Sequence, residues 1–184
     1  RALTPQDLAG FRVMVTAGPT LEALDPVRFI SNRSSGKMGY ALARIARRRG
    51  AEVTLITGPV SLPAPPDVET VQVESASQMM DAVMQRFDQV DVVIKAAAVA
   101  DFAPAHISEQ KIKKGRPGRF SLPFMATPDI LTRLGEAKTR QTLVGFAAET
   151  EDLAANSRKK LEEKNLDIIV ANDVTAPGSG FGHD

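Results

Sequence analysis

The chain has 184 residues with 23 Lys and Arg against 22 Asp and Glu, a net charge of 23 − 22 = +1. That is long enough for one sizeable core and too evenly charged for nucleic-acid binding by bulk charge. There is no Cys and only His106 and His183, which excludes disulfides, thiolate nucleophiles, cysteine-bound metals, histidine clusters and a Ser-His-Asp triad. No apolar run of about 18 residues and no signal-peptide pattern occur, so a soluble, cytoplasmic protein with no membrane partner is expected.

Residues 1–10 read as a linker remnant and 11–184 as one domain, cut short at its loop-like C-terminus. Residues 12–16 form the first predicted strand. A loop over 17–35 follows, longer than the few residues usual between strand and helix, and long loops carry function. Residues 36–49 are predicted helical, with Ala41, Ala43 and Ala46 suited to close packing on a sheet and Gly50 ending the helix. Strands are predicted at 53–57 and 71–73, around a Pro-rich loop at 61–67. An amphipathic helix spans 76–87, with Met79, Met80, Val83, Met84 and Phe87 at helical spacing. Residues 90–94 form a buried strand that runs into Ala96 to Ala100. Residues 101–127 are irregular, with a hairpin expected near 111–114 and 119–124. A helix over 128–138 takes Thr127 as N-cap and Pro128 as first residue. The last elements are a strand at 142–146, a charged helix at 151–165 and a strand at 167–171.

Strands alternate with helices, and the strands are apolar runs. The fold class is therefore α/β, a three-layer Rossmann-like parallel sheet flanked by helices, with 101–127 as a long insertion. Ligands in such sheets bind at the carboxyl ends of the strands. Small residues gather there, in Thr16-Ala-Gly-Pro-Thr20, Thr57-Gly-Pro59, Lys95-Ala-Ala-Ala98, Phe146-Ala-Ala-Glu149 and Ala171-Asn-Asp173.

The stretch Asn32-Arg-Ser-Ser-Gly-Lys-Met-Gly39 opens the first helix. Unpaired N–H groups and the positive helix dipole make it a phosphate site. It fits no standard fingerprint. A P-loop needs a hydroxyl after the Lys, and Met38 follows Lys37. A dinucleotide turn needs Gly at 34, where Ser34 stands, and an acid after the second strand, where Thr57-Gly58 stands. Tyr40 is followed by Arg44, so the Tyr-x-x-x-Lys pair of short-chain reductases is missing. An NAD(P)-dependent oxidoreductase is the weaker reading, beside a catalytically silent nucleotide-binding module. A packing role for Gly36 and Gly39 is the plainer alternative for that turn. The four arginines Arg44, Arg47, Arg48 and Arg49 end a helix, where cations complement the dipole.

Taken together, Thr16-Ala-Gly-Pro-Thr20, Asp25-Pro-Val-Arg28, Ile30-Ser-Asn-x-Ser-Ser-Gly-Lys-Met-Gly39, Ala96-Ala-Ala-Val-Ala-Asp-Phe102, Lys111-Ile-Lys-Lys114, Thr127-Pro-Asp-Ile130, Val144-Gly-Phe-Ala-Ala-Glu-Thr150 and Ala171-Asn-Asp173 resemble the phosphopantothenoylcysteine synthetase family over nearly the whole chain. The resemblance implies a two-step ligation. The carboxylate of 4′-phosphopantothenate attacks the α-phosphate of CTP, releasing pyrophosphate, and the cysteine amine then displaces CMP. It implies Mg²⁺ with the nucleotide, a homodimer, and fusion to a flavin-dependent decarboxylase domain.

By the same resemblance Lys111 is the essential lysine of the first step, and Asn32 and Arg28 handle the acyl intermediate. The alternative for Arg28 is an ion pair with Asp25 that fixes the loop. Ser34, Ser35, Gly36, Lys37, Met38 and Gly39 bind phosphate, and Ala98 borders the pantothenate pocket. CTP falls to Lys95, Ala96, Ala97, Asp101, Lys111, Pro128, Asp129, Ile130, Leu131, Phe146, Lys160 and Lys164. Within that group, residues 95–97 are expected to offer backbone groups, 128–131 a second helix N-terminus, and Phe146 a stacking ring. Residues 103–125 are the candidate dimer contact. No metal ligands follow from the sequence.

Overall fold

The computed structural model describes residues 4–113, 121–149 and 152–173. In chain order the strands are β1 (Arg12–Ala17), β2 (Leu21–Ala23), β3 (Phe29–Ser31), β4 (Glu52–Thr57), β5 (Glu69–Gln72), β6 (Val92–Lys95), β7 (Phe102–Pro104), β8 (Phe124–Ala126), β9 (Thr142–Glu149) and β10 (Ile168–Asp173). The helices are α1 (Lys37–Arg48), α2 (Ala76–Met84), α3 (Ile130–Ala137) and α4 (Leu153–Glu163). Six strands form one parallel sheet in the order β10-β9-β6-β1-β4-β5. The order reverses beside β1, which opens a crevice at the carboxyl ends of β1 and β6.

Side chains alternate across the sheet and build two cores. Val13, Val15, Val53 and Leu55 face α1, packing on Tyr40, Ala43 and Ala46. Met14, Ile56, Val93 and Leu143 face the other way, onto Met79 and Val83 of α2 and Ile130, Leu131 and Leu134 of α3. Leu161 of α4 joins this second core. Helix α1 lies close to β1 because its contact residues are small. A Cβ built on Gly39 would come 2.5 Å from Ala17 Cβ and 3.0 Å from Thr16 O. Helix α2 starts at a capping box, in which Ser75 accepts from the Gln78 N–H and the Gln78 side chain reaches back to the Ser75 N–H.

Several details correct the sequence reading. The long 17–35 loop contains the β2–β3 hairpin, with Leu21 opposite Ser31. Three-residue strands leave no readable alternation. In the insertion, the hairpin pairs β7 with β8, Phe102 opposite Ala126 and Pro104 opposite Phe124. Residues 111–113 are not in a strand, and 114–120 lie outside the described residues. Helix α3 starts at Ile130 with Asp129 as N-cap, accepting from the Thr132 N–H at 3.0 Å. Thr127, the expected cap, instead donates its hydroxyl to Ala100 O. Helix α2 ends at Met84, and Phe87 belongs to a short 3-10 turn. Ile168 and Val170 of the edge strand are 49% and 42% exposed among the described residues.

Candidate active site

Three local arrangements lie at the carboxyl ends of β1, β6 and β9, and a fourth lies in the β2–β3 turn. The first is the start of α1. Gly36 is its N-cap in a left-handed conformation, φ 75°, with no side-chain cap and no acid in the first turn. The N–H groups at the start of a helix have no intrahelical partner and lie at its positive end, which favours an anion. The Ser34 and Ser35 hydroxyls lie 3.4 and 3.5 Å from the N–H groups of Gly36 and Lys37, Met38 is 49% exposed, and Gly39 is the packing contact with Ala17. Gly36 supplies the left-handed backbone of this turn, and Gly39 its close approach to β1.

The second is the strip 95–100. The Ala96 N–H donates to Thr16 O and the Ala97 N–H to Thr16 Oγ1. The Ala98 N–H donates to Gly18 O, and the Ala100 N–H to Thr20 Oγ1. Both threonine side chains are completely buried. Because these donors are occupied, what Ala96 and Ala97 present to a ligand is carbonyl oxygen. Asn32 closes the strip from the other side, donating Nδ2 to Ala98 O at 3.1 Å and Val99 O at 3.0 Å. Asn32, Ala98 and the α1 N-terminus are therefore one continuous surface.

The third is a group of cations. Lys95 ends β6 on the α3 and α4 side of the sheet. Burial, and then the neighbouring Lys160 ammonium, push its pKa down to about 8 against the opposing pull of Asp129 and Asp101. Lys160 donates to Phe146 O at 2.9 Å. Lys164, one turn on, donates to Asp129 Oδ2 and Thr132 Oγ1, both at 2.8 Å. Burial of Asp129 opposes ionisation, but its bonds from Lys164 and the Thr132 N–H keep its pKa below the usual carboxylate value. The α3 N-terminus is thus closed by a carboxylate. The sequence foresaw Lys95 as a backbone contact; its side chain is a half-buried cation within electrostatic reach of Lys160, a combination that an anion would relieve. The Phe146 ring is not part of this group. Alternation along β9 puts it with Val144 on the opposite face, and only its carbonyl is engaged here.

The fourth is a knot in the β2–β3 turn. Asp25 binds Arg28 through Nε at 3.0 Å and Nη2 at 2.5 Å, the ion pair foreseen as one possibility. Arg28 Nη2 also donates to Ile112 O at 2.5 Å, and the Ile112 N–H donates to Asp25 Oδ2 at 3.1 Å. Lys111 is exposed and next in sequence to that peptide. Arg28 and the Lys111 segment, 84 residues apart, are brought together.

The sequence reading missed the buried hydroxyls of Thr16 and Thr20, whose signal was their place in a turn of otherwise small residues. Among the described residues no three His, Cys, Asp or Glu gather as a metal site, and no described helix is long and apolar enough to cross a membrane.

The chain is 55% identical to the coenzyme A biosynthesis bifunctional protein CoaBC of Bacillus subtilis, over 98% of this chain and 45% of that protein. It is 50% identical to a protein of an unknown prokaryotic organism named cysteine/cysteine sulfinic acid decarboxylase, over 100% of this chain and 52% of that one. The chain therefore spans about half the length of the curated relatives it matches. The crystal structure of the C-terminal domain of a CoaBC superposes with a TM-score of 0.82 at 50% identity, covering 92% of this chain and 80% of that domain. The profile of one family matches residues 8–184. With its parallel α/β sheet and this match, the chain belongs to the DNA/pantothenate metabolism flavoprotein C-terminal domain family.

Proposed function

We propose that the chain is a phosphopantothenate–cysteine ligase that uses CTP and works in the cytoplasm in coenzyme A biosynthesis. The observation that carries this reading is the Lys95–Lys160 pair. Two like charges in a partly buried site, near enough for one to lower the pKa of the other, suit a substrate with several negative charges, and CTP is one. The carboxylate of 4′-phosphopantothenate attacks the α-phosphorus, the bond to the β,γ-diphosphate breaks, and pyrophosphate leaves. The cysteine amine then attacks the acyl carbonyl, loses its proton, and CMP departs with the electron pair of the broken bond. The product is the amide phosphopantothenoylcysteine.

In this reading Lys95 and Lys160 bind the polyphosphate, and Lys111 stabilises charge that develops at the α-phosphate. The positive α1 N-terminus, with Ser34 and Ser35, holds the phosphate of phosphopantothenate. Asn32 borders the acyl group from its perch on Ala98 O and Val99 O. Free carbonyls at Ala96 and Ala97 suit the exocyclic amine of cytosine. Mg²⁺ on the triphosphate would neutralise phosphate charge, and Asp101, whose charge acts on Lys95, would meet the ribose or that metal. An oxidoreductase reading lacks support, because β4 ends in Thr57-Gly58 where a ribose-binding acid would stand.

The working form is a homodimer, and the two small hairpins carry its interface. Phe29 and Val27 on one, and Phe102 and Met125 on the other, are 56%, 59%, 60% and 57% exposed. Strands β2 and β7 lie side by side, so the two hairpins adjoin, and their exposed apolar side chains are the kind that association would cover. In the native protein we place a flavin-dependent decarboxylase domain on the same chain, as the bifunctional name of the relatives suggests.

The test is pyrophosphate release from CTP, ATP, UTP or GTP, with and without phosphopantothenate and before cysteine is added. Release from CTP only when phosphopantothenate is present is the expected result. Release that ignores phosphopantothenate, or that first requires cysteine, refutes the order of steps.

A further inference from the structure

Asp25 lies outside the residues given a role so far, yet it is the most heavily bonded carboxylate among the described residues. Its side chain is completely buried. Oδ1 accepts from the N–H groups of Val27 at 2.8 Å and Arg28 at 2.9 Å. Oδ2 accepts from Arg28 Nε and Nη2 and from the Ile112 N–H. The first two bonds close the β2–β3 turn and would be needed in any Asx turn. The last three serve another end. Asp25 takes the N–H of the Ile112 peptide while Arg28, held by Asp25, takes its C=O at 2.5 Å. Both polar groups of one residue in an otherwise irregular segment are captured by a pair from across the fold. The Ser108 N–H, donated to Leu24 O at 3.0 Å, fixes the same segment four residues earlier.

A basic, irregular segment has no internal reason to stay in one place. We propose that Asp25 is a positioning residue, which with Arg28 docks the Ile112 peptide and so sets Lys111 at the reacting phosphate. The inference rests on the proposed role of Lys111 in the first step. It also gives Arg28 a second duty, since its guanidinium is the other half of the dock. Misplacing a catalytic group by about 1 Å can lower a rate by about a hundredfold.

The experiment is a double-mutant cycle on the whole chain, read by single-turnover pyrophosphate release from CTP with phosphopantothenate. Asp25→Asn keeps the shape and an acceptor for the turn, but offers an N–H₂ group to the Arg28 and Ile112 donors. The expected result is a loss of about a hundredfold in rate constant with the Kd for CTP within about threefold, because Lys95 and Lys160 are untouched. On a Lys111→Ala background the same change should cost almost nothing further, since Asp25 acts through Lys111. Trypsin should also cut after Lys111 faster in Asp25→Asn. Should that variant fail to fold, Ile112→Pro removes the docked N–H from the other side and must give the same kinetic pattern. A full hundredfold loss on the Lys111→Ala background, or a wild-type rate in Asp25→Asn, overturns the inference. A wild-type rate in Lys111→Ala alone overturns the reading beneath it instead.

Discussion

Gly39→Ala probes the contact on which both the fold and the phosphate site depend. The added Cβ would sit 2.5 Å from Ala17 Cβ and 3.0 Å from both Ala17 Cα and Thr16 O. Carbon atoms in a packed interior stand about 3.5–4.0 Å apart, so helix α1 must retreat from β1 by about 1 Å. Two of the three neighbours are backbone and cannot swing away. The retreat also loosens Ala43, Ala46 and Tyr40 against Val13 and Val15. Overpacking of this kind costs about 1–3 kcal/mol, against which Ala gains up to about 1 kcal/mol of helix propensity over Gly. A net loss of about 1–2 kcal/mol should lower Tm by about 2–8 °C, at about 2–4 °C per kcal/mol for a chain of this size. The same displacement moves the N–H groups that face the anion, so affinity for phosphopantothenate should fall more than affinity for CTP. Thermal unfolding and calorimetric titration of both ligands test this. An unchanged Tm together with unchanged phosphopantothenate binding would refute the argument that close approach at Gly39 builds the site.

Three other outcomes follow from particular contacts. Lys95, held down to about pKa 8 by burial and Lys160, loses its charge as pH rises past that value, so CTP affinity should fall above pH 8, and in Lys160→Met, with the like charge gone, the fall should move to higher pH. Calorimetry across pH 7 to about 10 would show it, and a fall left at pH 8 in the variant would contradict the pairing. Gln141 is buried, donates Nε2 to Phe87 O at 3.2 Å, and accepts from the N–H groups of Thr139 and Arg140 at 3.0 and 3.1 Å. Gln141→Leu should cost about 1–3 kcal/mol in urea unfolding by stranding those groups. Phe102→Asp, on the 60% exposed Phe102, should give a monomer by light scattering with the far-UV spectrum intact; an unchanged dimer mass would place the interface elsewhere.

Much of the fold was legible because long periodic segments leave strong signals. The six parallel strands and four helices stand close to where hydrophobic patterning put them. Short-range competition decided the rest. At α3, both Thr127 and Asp129 can cap a helix, and the choice fell to Asp129 because the Thr127 hydroxyl was needed on Ala100 O and Lys164 could neutralise the carboxylate. Strands of three residues, β2, β3, β7 and β8, are fixed by contacts with each other and by buried Asp25, none of which is local in sequence. At the site, Asn32 and Ala98 were both singled out in sequence, and the structure brings them into contact. The direction of the Lys95 side chain and the double grip on Ile112 were not legible, since both depend on strand register and on pairing across the fold.

The acyl-cytidylate itself is the most direct test of the account. The whole chain is mixed with CTP and phosphopantothenate without cysteine, quenched within one turnover, and examined by mass spectrometry. A species with the mass of phosphopantothenoyl-cytidylate should accumulate with one pyrophosphate each, convert to phosphopantothenoylcysteine and CMP when cysteine is added, and be missing in Lys111→Ala. No such species while ligated product still forms, or its undiminished formation in Lys111→Ala, would contradict the account.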